Sequence, residues 1–340
     1  MANWPQHRTP LKSGAGLDCT TVGDVMMDVI LRSRRSIFDS LNFEGTNYFR
    51  EFRITPGGSG NLSAAVACLG GEAGLVGRAG KDPFGKAYDD DLVSLGVRSE
   101  ISLDPKQPTG LAVCLVDGRG RRTMFVSRGA NDNLTAQEVL EGLRRLGPSR
   151  FTCLSGYSLA FPGHKKTLLR AATNAQDHGS LVVFDPGAAN LVRAQSTVFA
   201  SIVNECDLLC ANIEETRALA RGSQVLPYSR MLSRKGKLVL VKMGSQGCLL
   251  VEEGVAKKVP GVRARAVDTT GAGDAFLGAL LYCLSRGYST SISASFANWF
   301  ASRLIEDLGP RSFPARPEIN SSLAMFSGKS NSVYSLRTRT

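Results

Sequence analysis

The sequence predicts an α/β fold in which helices cover both faces of a mainly parallel sheet. Short apolar segments with the length of strands alternate with helical segments along most of the chain, and this alternation is typical of a parallel sheet. The chain has 340 residues, of which 43% are hydrophobic and 21% are charged, a composition that favours a globular protein with one large core or two smaller ones. Two segments interrupt the alternation, and the second of them has the pattern of a β-hairpin.

The alternation begins with a strand predicted over residues 19–25 and a helix predicted over residues 61–70. The helix is rich in small residues, and Gly70 and Gly71 supply the signal that ends it. Later strands, with helices between them, are predicted at residues 151–155, 181–185, 208–211 and 238–242.

The two interrupting segments do not fit the alternation of strands and helices. The first is residues 52–54, which follow a polar stretch. The second is a hairpin in which residues 110–118 lead through the turn at Asp117 and Gly118 into residues 122–126, with alternating apolar residues on both arms. A hairpin that faced solvent on both sides would leave one apolar face unprotected.

Gly271, Ala272, Gly273 and Asp274 precede an apolar helix and carry the strongest chemical signal in the chain. Glycine lacks a Cβ, so the backbone can turn tightly there, and a helix N-terminus adds unpaired N–H donors and a partial positive charge. This combination predicts an anion hole that stabilises a transferring phosphoryl group. Asp274 is placed to accept the proton of an attacking hydroxyl. The alternative is that Asp274 only caps the helix.

The net charge of +11 makes nucleic-acid binding an alternative function. The basic residues are scattered, and neither tail interleaves them with aromatic residues, so an anionic small molecule explains the charge more simply and no nucleic-acid partner is expected. No apolar run reaches the length of about 18 residues that a membrane helix needs, so no membrane partner is expected.

The cysteines and the N-terminus bear on the cellular compartment. The eight cysteines form no CxxC pair, and the first residues lack the apolar core of a signal peptide. We therefore expect buried thiols in a reducing, cytoplasmic environment.

The segment Asp268-Thr269-Thr270-Gly271-Ala272-Gly273-Asp274-Ala275-Phe276 resembles the DTxGAGDxF signature of the ribokinase/PfkB family of carbohydrate and nucleoside kinases. The match is complete, and further motifs follow in the family's order from about residue 18 to about residue 314. The resemblance implies a ribokinase-like three-layer α/β/α fold with a small β-sheet lid, which closes over the substrate and often pairs with a second subunit. It implies a kinase domain over residues 17–315 whose lid is formed by about residues 31–55 and 109–128. Residues 1–16 are expected to form a flexible arm, and residues 316–340 a C-terminal extension with a disordered end.

The substrate half of the site is implied by two early motifs. Gly23-Asp24-Val25-Met26-Met27-Asp28 resembles the family motif whose second carboxylate, here Asp28, binds sugar hydroxyls. Taken by itself, an Asp after a strand is more often a turn residue. The segment 56–61 resembles the diglycine motif in which Gly57, Gly58 and Asn61 grip the substrate. Only Ser59 and Gly60 separate the glycines from Asn61, where the family has three residues.

The nucleotide half begins with Asn212 and Glu215, which match the family's NxxE motif. Three residues along a helix bring the two side chains to one face, where they are expected to hold Mg2+-bound water near the phosphates. Capping of a helix start explains the same motif equally well.

Further residues of the nucleotide half are implied by their positions in the family's order. Lys242, Gly244 and Gly247 lie in a segment that resembles the ATP loop, with Lys242 expected at a phosphate. Asn298 matches a family Asn near the adenine. Asp268 and Thr270 match positions that hold a monovalent cation, K+, in the ribokinase branch.

The resemblance implies ATP-dependent phosphorylation of a hydroxyl, primary in type, of a sugar or sugar-like molecule. In this interpretation Asp274 is the base, the amides of Gly271, Ala272 and Gly273 stabilise the phosphoryl oxygens, and Mg2+ with Glu215 neutralises charge. A homodimer through the lid is the expected assembly.

Several alternatives remain open at this point. A nucleoside kinase of the same family fits nearly as well, and Ser59, where many ribokinases have Lys, counts against ribose. A phosphosugar substrate would need basic residues in the pocket, and Arg53 and Arg128 are the candidates. A non-catalytic sugar-binding regulator on the same fold is the alternative from a different class.

Overall fold

The computed structural model describes residues 16–33, 44–49, 51–118, 122–161 and 163–328. Its strands are β1 (Leu17–Val22), β2 (Val25–Arg32), β3 (Glu51–Gly58), β4 (Ala73–Gly80), β5 (Arg98–Asp104), β6 (Gly110–Val116), β7 (Arg122–Ser127), β8 (Ser149–Ser155), β9 (Leu181–Asp185), β10 (Leu208–Asn212), β11 (Leu238–Lys242), β12 (Cys248–Glu252) and β13 (Val255–Val259). Its α-helices are α1 (Gly60–Cys68), α2 (Pro83–Ser94), α3 (Ala136–Leu146), α4 (His164–Asp177), α5 (Ala189–Ala194), α6 (Ser196–Glu205), α7 (Ile213–Leu219), α8 (Val225–Arg234), α9 (Ala272–Ser285), α10 (Thr290–Leu304) and α11 (Arg316–Phe326).

The main sheet has nine strands in the order β13-β12-β11-β10-β9-β8-β1-β4-β5. The seven strands from β11 to β5 are parallel to their neighbours, and β12 and β13 extend the sheet in antiparallel fashion. The strand order reverses beside β1, and ligands of open α/β sheets bind at such a switch point, outside the carboxyl ends of the strands.

Helices cover both faces of this sheet because its central strands are apolar on both sides. In β9, Leu181 and Val183 pack in the core on one face, and Val182 and Phe184 pack in the core on the other. The first core includes residues of α1, α9 and α10, and the second includes residues of α3, α4 and α6. The α/β class and the three-layer architecture are therefore confirmed.

A second sheet has the order β3-β2-β6-β7 and forms the lid. The predicted hairpin is present as the antiparallel pair of β6 and β7, while the residues 119–121 between them lie outside the described chain. One face of the lid carries Asp28, Ile30 and Cys114 and faces the main domain, since Ile30, Cys114 and Val116 pack with Leu308. The other face carries the exposed apolar side chains of Phe52, Ile54 and Phe125.

The prediction of one strand over residues 19–25 is wrong. β1 ends at Val22 in the main sheet, and β2 begins at Val25 in the lid. Gly23 makes this crossing, and a Cβ there would lie only 2.1 Å from Ser59 Oγ. Val22 and Val25 are both buried, so the apolar pattern runs through the break without marking it. The lid consequently includes β2, most of which precedes the residues 31–55 predicted for that part of it.

The chain ends are only partly described. The first fifteen residues of the predicted N-terminal arm and residues 329–340 of the predicted C-terminal extension lie outside the described residues. The extension begins with α11, whose Ile319 is buried and whose Phe326 ring lies 6.3 Å from that of Phe296 in α10. Within the described part of the chain, no helix is both long and apolar enough to cross a membrane.

The cysteines match the expectation from the sequence. All eight are free thiols, and all except the partly exposed Cys68 are buried.

Candidate active site

The candidate site lies where the carboxyl ends of β9, β10 and β11 meet the start of α9. These strands end in Asp185, Asn212 and Lys242. A Cβ on Gly273, in the first turn of α9, would lie 3.2 Å from Lys242 Nζ, so the helix start and the strand ends are in close contact. Parallel strands place their ends at one edge, which explains how residues far apart in sequence converge here.

Gly271 is the N-cap of α9 and adopts a left-handed conformation, with φ of 76°. A side chain at this position would also meet Pro310, since a Cβ on Gly271 would lie 2.7 Å from the Pro310 Cβ. The turn directs the first-turn amides of α9 out of the helix end, where they have no intrahelical acceptor. The Ala272 amide makes one long bond, 3.3 Å, to Thr269 O.

Asp274 occupies the third position of α9 and is half-buried. Burial, followed by the nearby Asp185 carboxylate, raises the pKa of Asp274 to about 7. Lys242 and a hydrogen bond from the Asn61 side chain oppose this increase in the pKa, and Asp28 adds to it. Asp274 therefore exchanges its proton near neutral pH, which is a property expected of a general base.

Lys242 forms an ion pair with Asp185, with 2.8 Å between Nζ and Oδ2. Burial favours the neutral amine, but Asp185, the largest opposing influence, holds the pKa of Lys242 well above its usual range. The sequence analysis placed Lys242 at a phosphate and missed Asp185. The signal that was available for Asp185 is a carboxylate at the end of a buried parallel strand, directly before Pro186.

Asn212 and Glu215 form a reciprocal capping box at the start of α7. The Glu215 carboxylate accepts from the Asn212 amide, and the Asn212 Oδ1 accepts from the Glu215 amide, each over 2.8 Å. Glu215 is buried, and burial raises the pKa of its carboxyl to about 7. The capping alternative of the sequence analysis thus describes their local contacts, and their part in holding Mg2+-bound water stays a prediction.

Asp268 and Thr270 are both buried before the glycine turn. Asp268 Oδ1 accepts from the Thr270 amide and hydroxyl, over 2.9 and 2.7 Å, and Oδ2 accepts from the Gly309 amide over 3.0 Å. The Asp268 carboxylate therefore ties the glycine turn to the segment after α10. A cation-binding part for this pair stays a prediction.

Gly244 and Gly247 bracket the turn between β11 and β12, and both have a positive φ. Asn298 in α10 is buried and donates from Nδ2 to the carbonyl oxygens of Val259 and Pro260, over 3.3 and 3.1 Å. These bonds fix the chain that follows β13 against α10. The structure places Asn298 at the β12–β13 edge of the main sheet, and its predicted contact with adenine stays a prediction.

Asp28 and the glycines of the substrate motif lie on adjacent lid strands. A Cβ on Gly57 would lie 2.2 Å from Asp28 Oδ2, so only glycine leaves room for this carboxylate. Gly58 ends β3 with φ of 56°, and α1 then begins at Gly60. The fully buried Tyr88 of α2 supports this motif from behind, because its hydroxyl donates to Gly57 O over 2.8 Å and accepts from the Gly60 amide over 3.0 Å.

Asn61 connects the substrate motif to the glycine turn. Its side chain bonds to the Asp274 carboxylate and accepts at Oδ1 from Arg311 Nε over 3.1 Å. The structure thus brings together Asp28, Asn61, Lys242, Gly273 and Asp274. Sequence reasoning missed Tyr88 and Arg311, because neither lies in a motif.

The two arginines considered for a phosphosugar are engaged in other contacts. Arg128 pairs with Asp24 and Asp132, and Arg128 Nη1 donates to Tyr157 O over 3.0 Å. Arg53 donates from the lid to Leu308 O. The structure does not bring either guanidinium into contact with Asp274.

Comparison with known proteins identifies the family. The model of a protein family that is described as pfkB family carbohydrate kinase matches residues 17–316. A fructokinase of Vibrio alginolyticus is 29% identical over 273 residues, covering 78% of this chain and 83% of its own. Mouse ribokinase is 26% identical over 340 residues, covering 96% of this chain and all of its own. A solved structure from E. coli in complex with ATP and Mg2+ has a TM-score of 0.78 at 21% identity, covering 93% of this chain and 99% of that one.

Proposed function

The chain belongs to the pfkB family of carbohydrate kinases, and we propose that it transfers the terminal phosphoryl group of ATP to a primary hydroxyl of a sugar or sugar-like molecule. Asp274 accepts the proton of that hydroxyl. The amides of Gly271, Ala272 and Gly273 and the Lys242 ammonium stabilise the charge on the transferring group.

The position and pKa of Asp274 carry this proposal. The carboxylate lies at the start of a fourteen-residue helix, with Asn61 bonded on the side of the substrate motif and Lys242 nearby on the side of the strand ends. A helix start favours negative charge, so a phosphoryl group and an ionised Asp274 can be accommodated together. A pKa of about 7 lets Asp274 take up a proton without holding it too tightly to release.

Lys242 supports the nucleotide half of the proposal. Its ammonium lies between the Asp185 carboxylate and the first turn of α9. Because its pKa is held well above the usual range, it stays charged at neutral pH. A compact positive charge there suits an oxygen of the phosphate chain.

Mg2+ fits the chemistry of this edge of the sheet. Carboxylates are ligands that Mg2+ prefers, usually with several bound waters retained. Asp185 and Glu215 lie near the Lys242 ammonium, but the described residues contain no cluster of three such ligands that could hold the ion directly. Glu215, oriented by Asn212, would hold the ion through water, and the ion would supply positive charge to the phosphates.

K+ binding at Asp268 and Thr270 is a separate part of the proposal. Both residues are buried beside the glycine turn, so a cation there would add positive charge close to the anion hole. Turnover measured with K+ and with a larger organic cation at equal ionic strength tests this part alone.

A screen for ADP release tests the proposed function. Hexoses, pentoses, sugar acids, phosphosugars and nucleosides are each supplied with ATP and Mg2+, beginning with D-fructose and D-ribose because the relatives include a fructokinase and a ribokinase. We expect turnover with at least one compound and a loss of about 10²- to 10⁴-fold in Asp274→Ala, the usual contribution of a general base.

Calorimetric titration of ATP into the same variant is the control. Unchanged ATP affinity with lost turnover supports the proposed part of Asp274, and near-normal turnover contradicts it. Turnover confined to nucleosides or to phosphosugars assigns the alternative substrate class. If no compound yields ADP but a sugar binds, the chain is a sugar-binding regulator.

The lid also supports the proposal of a homodimer. Ile54, Val29, Val113 and Phe125 are paired in one row across the four strands and share the outer face. Phe52, on the same face, is 71% exposed, and Phe125 is 62% exposed. A second copy of this face is the partner that we propose, because it would cover an apolar patch that is otherwise in contact with water.

A further inference from the structure

Arg311, between α10 and α11, lies directly behind the substrate motif. Its side chain is only 9% exposed and forms an ion pair with Asp91 of α2 through Nη1. Its Nε donates to Asn61 Oδ1 over 3.1 Å. Its guanidinium carbon lies 5.8 Å from the centroid of the Tyr88 ring. Two elements distant in sequence, α2 and the segment before α11, thus meet at Asn61.

The chemistry of the guanidinium decides how Asn61 is oriented. An arginine side chain has five N–H donors and no acceptor, whereas the two ends of an asparagine amide have opposite hydrogen-bonding character. Oδ1 of Asn61 must therefore face Arg311, and its NH2 group is left to donate to the Asp274 carboxylate. Without Arg311, only the Asp274 carboxylate selects this orientation, and it does so only while it is ionised.

The remaining contacts argue against a purely structural part for Arg311. Its Nη2 is buried and has no hydrogen-bond partner among the described residues. A buried, unpaired donor is destabilising, so an apolar replacement of similar volume would suit a purely structural position at least as well. The orientation of Asn61 is a benefit that such a replacement would not provide.

We propose that Arg311 is a positioning residue for phosphoryl transfer: it holds the Asn61 amide so that the NH2 group donates to Asp274. This inference rests on the proposed function of Asp274 as the base. Arg311 acts through Asn61 and does not itself contact the reacting atoms.

The groups around Asp274 determine in which direction its pKa changes when Arg311 is removed. Asp185 on β9 and Asp28 on β2 favour its neutral form, as does burial, while Lys242 on β11 and the Asn61 amide favour its ionised form. A donor lost from a carboxylate raises its pKa. Removal of Arg311 therefore raises the pKa of Asp274 and leaves less of the base ionised at neutral pH.

The test compares Arg311→Met, Arg311→Lys, Asn61→Ala and the double variant Arg311→Met/Asn61→Ala. The turnover number and the KM values for ATP and for D-fructose, or for the best compound of the screen, are measured from pH 5.5 to 9. We expect Arg311→Met to move the acidic limb of the turnover profile upward by about one pH unit, with the KM for ATP unchanged. Asn61→Ala should move the limb by a similar amount, and the double variant no further than Asn61→Ala. Arg311→Lys should restore part of the shift.

Arg78→Met is the matched control. Arg78 is also largely buried and pairs with Asp104 and Glu138, away from the candidate site. We expect Arg78→Met to lose about as much thermal stability as Arg311→Met, without any movement of the acidic limb of the turnover profile. The positioning role of Arg311 is overturned if the acidic limb does not move in Arg311→Met, or if the shifts of the two single variants add in the double variant. Arg311→Lys keeps the comparison available if Arg311→Met does not fold.

A titration independent of turnover separates this inference from the proposed function. The Asp274 carboxyl is followed by ¹³C NMR in the wild type and in Arg311→Met, with Asp274→Asn used to assign its signal. A higher pKa in Arg311→Met supports the contact network even if no sugar is phosphorylated. An equal pKa in both proteins contradicts the network, whereas a wild type that releases no ADP contradicts only the proposed kinase activity.

Discussion

Asp274 obtains its chemistry from its neighbours. An aspartate in water titrates near pH 3.9, and here burial and the Asp185 carboxylate raise the pKa to about 7. A side chain that would otherwise only cap a helix thereby becomes a group that exchanges a proton at neutral pH. The sequence located this residue, but Asp185 and Asn61, which act on its pKa, are 89 and 213 positions away from it.

Replacing the Asp274 carboxyl is expected to stabilise the protein at neutral and alkaline pH. The folded state holds the proton up to about pH 7, while the unfolded state releases it near pH 4, so this group lowers stability progressively from pH 4 to pH 7. Above pH 7 the Asp274 carboxyl lowers the free energy of unfolding by a constant amount. Asp274→Asn should therefore match the wild type near pH 4 and exceed it at pH 8 by up to about 4 kcal/mol.

Urea unfolding of Asp274→Asn across pH 4 to 8 measures this difference. The exposed Asp177 of α4 provides the control, because Asp177→Asn removes a carboxyl that is not buried. A gap between Asp274→Asn and the wild type that does not widen with pH would show that Asp274 is not held at a raised pKa.

Among the helices and strands, the start of α7 combines a structural role, helix capping, with a proposed chemical role in binding Mg2+. Asn212 and Glu215 satisfy each other's amides in a capping box, and the same pair is proposed to hold Mg2+-bound water. The sequence could not separate the two parts, since the spacing that suits capping also brings both side chains to one side of a helical turn.

A matched pair of cap variants separates the two parts. Thr135 and Glu138 form a second capping box at the start of α3. Asn212→Ala and Thr135→Ala should each cost about 1 kcal/mol of stability, the usual value of an N-cap. Only Asn212→Ala should raise the Mg2+ concentration needed for half-maximal turnover. If both variants need the same Mg2+ concentration for half-maximal turnover, Asn212 has only the structural role of a helix cap.

For the whole molecule, the lid has one face for the site and one for a partner. Asp28 lies on the face towards the main domain, and Arg53 on that face donates to Leu308 O next to the glycine turn. Phe52 and Phe125 lie on the outer face. Strand alternation produces this division, because successive side chains point to opposite sides.

The outer face is expected to form a homodimer. Phe52→Lys together with Phe125→Lys places two charges in the patch, so sedimentation should change from dimer to monomer at micromolar concentration. Val255→Lys is the control, since Val255 is 70% exposed on β13 at the far edge of the main sheet. A wild type that sediments as a monomer, or a double variant that stays dimeric, contradicts the proposed interface.

The sequence by itself determined the α/β class, the hairpin of the lid and the glycine turn before α9. These features follow from local patterns: apolar runs of strand length, alternation around a turn, and glycines before a helix. The sequence did not separate β1 from β2, because buried valines, Val22 and Val25, stand on both sides of the short break between them.

Only the tertiary structure brought Asp185 to Lys242 and Arg311 to Asn61. These contacts join residues 57 and 250 positions apart, and no periodicity or spacing encodes such a distance. They arise because parallel strands end at one edge and because α2 and the segment before α11 pack behind α1. The electrostatics that set the pKa of Asp274 depend on this packing, so the sequence located the base and the fold decided its strength.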